Sequence, residues 1–327
     1  MSRHDLIGIG GSAGALPALL SLLQAFDGGN DVTLFVVIHR TDRSNRLCEI
    51  IQRATALETC QPDDGDPIRP GHLYLAPTDR HLLVSDGHVH LRRGPRENNF
   101  RPSIDPLFRS IAVAGSGRAI GIVLSGYLDD GAAGLRAVMQ CGGLGVVQDP
   151  LDAISPDMPR AAISAVGEPR LIASAPEIGK ALPSLIAEPA GPRVEAPSSM
   201  RLELMIAGLE EANMESEESL GELSPYNCPD CNGVLWQIED GPMLRFRCHT
   251  GHAYSGNALL EAQAGTIEQS LYETLRGQRE RARLLRQMAE RDPMGGERWT
   301  DRAADYDRAA SLIEGLILQG GQARPQG

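Results

Sequence analysis

From residue 5 to about residue 188, short β-branched or apolar runs alternate with helical stretches: "DLIGIG", "LPALLSLLQAF", "TLFVVIHR", "SNRLCEIIQRAT". A chain written in that rhythm has few choices. Each helix must cross over a sheet to reach the next strand, so the strands lie parallel and the helices cover both faces. The middle stretch "GHLYLAPTDRHLLVSDGHVHLRRG" breaks the rhythm, because two alternating runs flank the turn residues "SDG" and predict a hairpin. The pattern resumes with "DPLFRSIAVAGSG", "AIGIVLSG", "GAAGLRAVMQCGG" and "LGVVQDP". The expectation for 1–188 is therefore a doubly wound α/β domain on a mainly parallel sheet.

Beyond it the composition changes. Residues 189–200, within "EPAGPRVEAPSS" and its continuation, read as a linker, and 201–257 as a helix, an acidic segment and a compact cysteine-bearing insert. Residues 258–320 carry Ile267, Leu271, Leu275, Ala282, Leu285 and Ala289 at helical spacing. With "ERWTDRAADYDRAASLIEGLILQ" after a "RDPMGG" break, they predict a helical hairpin. The final "GGQARPQG" reads as disordered.

Charge and cysteine usage narrow the partners. A net charge of −12 disfavours nonspecific attraction to nucleic acid or anionic lipid. No run approaches the ~20 apolar residues of a membrane span, and the N-terminus lacks the marks of a signal peptide, so residence in the cytoplasm without membrane insertion is expected. Cys48, Cys60 and Cys141 are scattered and read as reduced thiols.

The stretch around Ser12 admits three readings. Gly10-Gly11-Ser12-Ala13-Gly14 satisfies the G-x-S-x-G pattern of a nucleophile elbow. Gly8, Gly10 and Ala13 also satisfy the dinucleotide fingerprint G-x-G-x-x-G/A. The third reading is a plain tight turn. Further along, "FVVIHR" ends a strand with His39 and Arg40, and "LSGYLDDGAAGL" ends another with Asp129 and Asp130. Serine, histidine and aspartate thus share the carboxyl rim of the expected sheet, where open α/β sheets bind ligands. A hydroxyl becomes a useful nucleophile when an imidazole takes its proton and a carboxylate orients the imidazole. The aspartate pair also fits a helix cap near Ala132, and Asp105-Pro106 fits an N-cap followed by a first helical residue.

At these residues a resemblance emerges. "IGIGGSAGALPAL", "FVVIHR", "HLYLAPTDRHLLV", "FRPSIDPLFRS", "LSGYLDDGAAGL" and "GGLGVVQDPLDAISPDMPRAAI" together resemble the catalytic domain of CheB-type protein-glutamate methylesterases over nearly all of 5–188. The resemblance implies Ser12 as nucleophile, His39 as base and Asp130 as orienting carboxylate, with Gly11, Ala13 and Tyr127 lining the oxyanion pocket. It implies hydrolysis of glutamate γ-methyl esters on methyl-accepting chemoreceptors or similar signalling proteins, in some members with glutamine deamidation, and no cofactor for that step. Ala13 stands where a threonine is frequent, and Tyr127-Leu128 where a Met-Gly pair is frequent, so a reshaped pocket is expected. Control by an N-terminal receiver domain is not expected, since the Ser12 strand starts at residue 5. A catalytically idle scaffold and a dinucleotide-binding protein are the alternatives.

The insert has its own logic. Cys228-x2-Cys231, 16 residues, then Cys248-x3-His252 has the spacing of two zinc knuckles, with His249 competing for the fourth place. Four protein ligands close the site, so a structural zinc ion in a zinc-ribbon-like module is expected. Only Arg245 and Arg247 are basic between residues 222 and 257, so a nucleic-acid footprint is missing. The apolar stripe from Ile267 to Ala289 suggests either a docking or oligomerisation face or simple packing on the second helix around Leu312, Ile313 and Leu316.

Overall fold

The computed structural model describes residues 3–28, 31–40, 46–192, 194–208, 221–292 and 296–320. It divides into two compact units, Met1–Leu259 and Leu260–Gly327.

The first unit is built on strands β1 (Leu6–Gly11), β2 (Thr33–Ile38), β3 (Glu58–Cys60), β4 (His72–Leu75), β7 (Ala119–Val123), β8 (Leu144–Gln148) and β9 (Leu171–Ala173). They form one seven-stranded sheet in the order β3-β4-β2-β1-β7-β8-β9, and every neighbouring pair is parallel. The period-2 alternation of each strand feeds two cores. Leu34, Val36 and Ile38 of β2 pack with helices α1 (Ala15–Ala25), α2 (Arg46–Gln52) and α6 (Ala175–Ala187) on one face. Phe35 and Val37 pack on the other, with α3 (Ile104–Gly115), α4 (Ala132–Gln140) and α5 (Asp157–Val166). The expected hairpin is β5 (His81–Ser85) with β6 (His88–Arg92), turned by Asp86 and Gly87, both with positive φ.

The glycines of β1 face α3. A Cβ at Gly10 would lie 2.2 Å from Ile104, and one at Gly8 2.6 Å from Ile111. Their bare backbone lets α3 sit directly on the strand at the point where the strand order reverses.

Helix α7 (Ser198–Gly208) begins inside the stretch expected as linker, and the acidic segment after it lies outside the described residues. The insert forms a four-stranded antiparallel sheet, β10 (Gly221–Asn227), β11 (Val234–Asp240), β12 (Met243–Cys248) and β13 (Ala253–Ser255), rather than a single hairpin. It belongs to the same compact unit as the parallel sheet.

The second unit contains most of the helix Gly256–Arg291 and the helix Gly296–Gly320. Ala282 and Leu285 pack against Ala303, Trp299 and Tyr306. Ion pairs Arg279–Glu314 and Arg286–Asp307 fix an antiparallel register. Of the residues around which the packing alternative centres, Ile313 is half-buried, while Leu312 and Leu316 are 72% and 56% exposed. The final "GGQARPQG" falls almost wholly outside the described residues. No helix among the described residues is long and apolar enough to cross a membrane.

Candidate active site

Parallel pairing alone brings two of the three expected residues together. Gly11 and Ile38 are register partners at the ends of β1 and β2, so Ser12 and His39 leave the sheet side by side. The His39 amide donates to the Gly11 carbonyl at 3.1 Å, and the Ser12 amide to the Ser125 carbonyl at 2.9 Å, which ties the serine to the end of β7. Gly14, the N-cap of α1, takes φ +76°, a left-handed conformation that glycine adopts without cost. The chain thereby turns from strand to helix within three residues. Ser12 Cβ lies 3.0 Å from where a Cβ at Gly126 would stand, so the loop after β7 closes over the serine only because position 126 is bare.

Asp130 completes the set. Its Oδ2 accepts from His39 Nε2 at 2.8 Å, with side-chain exposures of 2% and 1%, so water does not screen the pair. Oδ2 also accepts from the Ile104 amide at 2.7 Å, and Oδ1 from Ser103 Oγ at 2.7 Å and Asn98 Nδ2 at 3.0 Å. Burial pushes this carboxyl up, but the hydrogen bond and charge of His39, with the Ile104 amide and Asn98, outweigh it and hold the group down at about 2. An ionised Asp130 only accepts, so Nε2 carries the proton and the lone pair sits on Nδ1. Nδ1 is buried and has no hydrogen-bond partner among the described residues. The ring also stacks on Phe100, centroids 3.6 Å apart and planes 13° apart.

Asp105 corrects the sequence expectation. The N-cap of α3 is Ser103, and Asp105 sits within the first turn. Its Oδ1 accepts from the amides of Gly131 at 3.0 Å and Gly134 at 2.6 Å. The two helices therefore cap one another: Asp130, just before α4, holds the first amides of α3, while Asp105 in α3 holds the first amides of α4. Burial, then the charge of Asp130, push the Asp105 carboxyl up to about 7. A carboxyl raised in the folded chain keeps its proton longer there than when unfolded, so stability declines as pH rises from about 4 towards 7 and levels off above. The urea midpoint of the wild type is expected to fall between pH 5 and pH 8 by more than that of Asp105→Asn. Equal slopes in the two proteins would refute this account.

Among the expected pocket residues, the amides of Ala13 and Tyr127 donate to no described residue, whereas Gly11 lies within β1. Ser125 was missed by sequence reasoning. Its Oγ donates to the Ala13 carbonyl at 2.7 Å and accepts from the Ser155 amide at 2.8 Å, fastening the Ser12 loop to the loop after β8. At Gly10, the second glycine of the dinucleotide pattern, the space a side chain would take is filled by Ile104 of α3.

The four expected metal ligands also converge. One ligand atom from each of Cys228, Cys231, Cys248 and His252 lies within 4.8 Å of all the others. His249 is elsewhere, its exposed imidazole against Gly233. Gly251 turns the second knuckle at φ +91°, and its amide donates to the Cys248 carbonyl at 2.8 Å. Arg245 and Arg247, read from sequence as the only basic residues here, are buried. Arg245 pairs with Glu203 at 2.5 Å and Asp240 at 2.9 Å, and Arg247 with Glu97 at 3.0 Å and Glu203 at 2.8 Å. Arg109 completes the cluster against Glu97 and Glu203.

The parallel sheet, with Ser12, His39 and Asp130 gathered at its carboxyl rim, defines a doubly wound α/β fold with a candidate serine-histidine-aspartate site. The CheB methylesterase family model matches residues 7–182, and the chain belongs to that family. It is 34% identical over 179 residues to the protein-glutamate methylesterase/protein-glutamine glutaminase of Escherichia coli strain K12, covering 51% of this chain and 49% of the relative. Identity to the counterpart from Yersinia pestis bv. Antiqua is 35% over the same length. The chain thus spans about half the length of the curated relatives it matches. The Thermotoga maritima CheB methylesterase catalytic domain superposes with a TM-score of 0.53 at 25% identity, over 57% of this chain and 100% of that one.

Proposed function

We propose that this chain hydrolyses γ-methyl esters of glutamate side chains on a signalling protein of the methyl-accepting chemoreceptor kind, in the cytoplasm. The observation that carries the reading is the buried His39–Asp130 pair beside the Ser12 turn, with Nδ1 of the imidazole left as proton acceptor. Ser12 Oγ attacks the ester carbonyl carbon while His39 Nδ1 takes the hydroxyl proton. Amides of Ala13 and Tyr127 stabilise the developing oxyanion, the kind of contact worth about 100-fold or more in rate. The tetrahedral intermediate expels methoxide, which leaves as methanol with the proton from His39. Water, deprotonated by the same nitrogen, then releases the glutamate and restores Ser12. The same sequence with ammonia as leaving group would deamidate glutamine.

A protein substrate suits the rim. Tyr127, Leu151 and Ile154 are 56%, 92% and 70% exposed, and Ile154 lies against Gly14 of the serine turn. Apolar side chains grouped at a reaction centre offer a docking face for a helix. The test is methanol release from a methylated chemoreceptor signalling fragment. Stoichiometric release with multiple turnovers is expected, and binding without release would favour an idle scaffold.

A further inference from the structure

The ribbon and the parallel sheet meet at the carboxylate of the candidate active site. Directly after His252 the chain enters β13, and every residue of that strand is engaged. Asn98 donates its amide to the Ala253 carbonyl at 2.8 Å, and Ala253 donates to the Arg96 carbonyl at 3.2 Å. Tyr254 donates its hydroxyl to Asp230 at 2.6 Å, which anchors β13 to the first knuckle. The Ser255 amide donates to Asn98 Oδ1 at 2.9 Å, and the Ser255 hydroxyl donates to Asp129 at 2.5 Å. Asn257 adds a bond to the other Asp129 oxygen at 3.1 Å.

Asn98 is the pivot. It is buried and holds a left-handed φ of 51°. Because Ser255 occupies its Oδ1, its Nδ2 must face the other way, where it donates to Asp130 at 3.0 Å and to Asp105 at 2.9 Å. The Ser255 amide on Oδ1 and the carboxylates of Asp130 and Asp105 on Nδ2 fix this orientation of the side-chain amide together.

The cluster at the head of β13 has the dimensions of a filled tetrahedral site. Ideal zinc bond lengths put ligand sulfurs about 3.8 Å apart and sulfur and nitrogen about 3.6 Å apart. Cys231 and Cys248 sulfurs are 3.7 Å apart, and His252 Nδ1 is 3.6 Å from Cys228 and 3.5 Å from Cys248.

We infer that Cys228, Cys231, Cys248 and His252 bind one zinc ion, and that this ion, through β13 and Asn98, holds Asp130 in the position where it orients His39. The metal touches no reacting group. Asn98 is a positioning residue, and ester hydrolysis becomes conditional on metal occupancy. The coupling to turnover rests on the methylesterase reading above; the metal site and the path to Asp130 do not.

The experiment compares the full-length wild type with Cys231→Ser and Asn98→Ala. Zinc per chain is measured by mass spectrometry, backbone hydrogen exchange over 96–100 and 128–131, and methanol release. One zinc per wild-type chain is expected, lost in Cys231→Ser with at least tenfold faster exchange in both segments and unchanged protection of β7 and β8. Asn98→Ala is expected to keep its zinc and to lower kcat at least tenfold with KM unchanged. No stoichiometric zinc in the wild type would overturn the inference. So would slow exchange over 96–100 in the zinc-free variant, or kcat intact in Asn98→Ala. If the wild type releases no methanol, the methylesterase reading falls, and zinc content with exchange still decides the coupling. If Cys231→Ser does not fold, zinc removal from the wild type by a chelator supplies the same comparison.

Discussion

Ser12→Ala is expected to reduce methanol release from a methylated receptor fragment by at least about a thousandfold, leaving the urea midpoint of the first unit within error of wild type. The loss is large because nucleophile and base act as a unit, so removing one silences the other. The stability is spared because the serine is anchored through its backbone: its amide bonds to the Ser125 carbonyl and its carbonyl accepts from Ala15. Its hydroxyl is engaged with no described residue. Residual release close to wild type would show that another group attacks the ester. A destabilised variant would mean that the hydroxyl carries structural weight, and the kinetic result would then need repeating at matched folding.

Glu203→Ala is expected to destabilise the first unit by about 3–5 kcal/mol, the usual penalty for removing one partner from a buried ion pair. Glu203 on α7 is shared by Arg245, Arg247 and Arg109, all with side chains no more than 7% exposed. Glu97 and Asp240 remain in the variant, but they already serve Arg247, Arg109 and Arg245. Three guanidinium groups would then share too little counter-charge away from water. The urea midpoint measures this directly. An unchanged midpoint would mean that water enters to solvate the arginines, and that α7 is dispensable for seating the ribbon.

The parallel sheet was legible because its signal is local: strand and helix periods alternate, and each strand end lies next to the residues that matter. His39 and the Asp129-Asp130 pair could be grouped with Ser12 for the same reason, since βα topology sends every such loop to one rim, while the choice of Asp130 within the pair came from the family resemblance. The ligand knuckles were legible too, being short spacings. What could not be read is what lies far apart in sequence. Asp105 has the local pattern of a cap, yet its oxygens serve the amides of Gly131 and Gly134. Arg245 and Arg247 look like sparse surface charge until Glu97 and Glu203 arrive from elsewhere in the chain. Asn98 sits in "ENNF", a stretch with no motif, and its role depends on Ser255, 157 positions later. The register of the helical hairpin likewise depends on ion pairs that periodicity does not specify.

The bare face of Gly10 has a meaning beyond packing. Because α3 lies flush on β1, the positive end of its dipole is aimed at Asp130, and the Ile104 amide that solvates the carboxylate is the first residue over that glycine. One added methyl group at position 10 would not touch serine, imidazole or carboxylate. It would lift the helix start that stands in for water around a buried anion, and so act as a change in the electrostatics of the reaction made from behind the sheet.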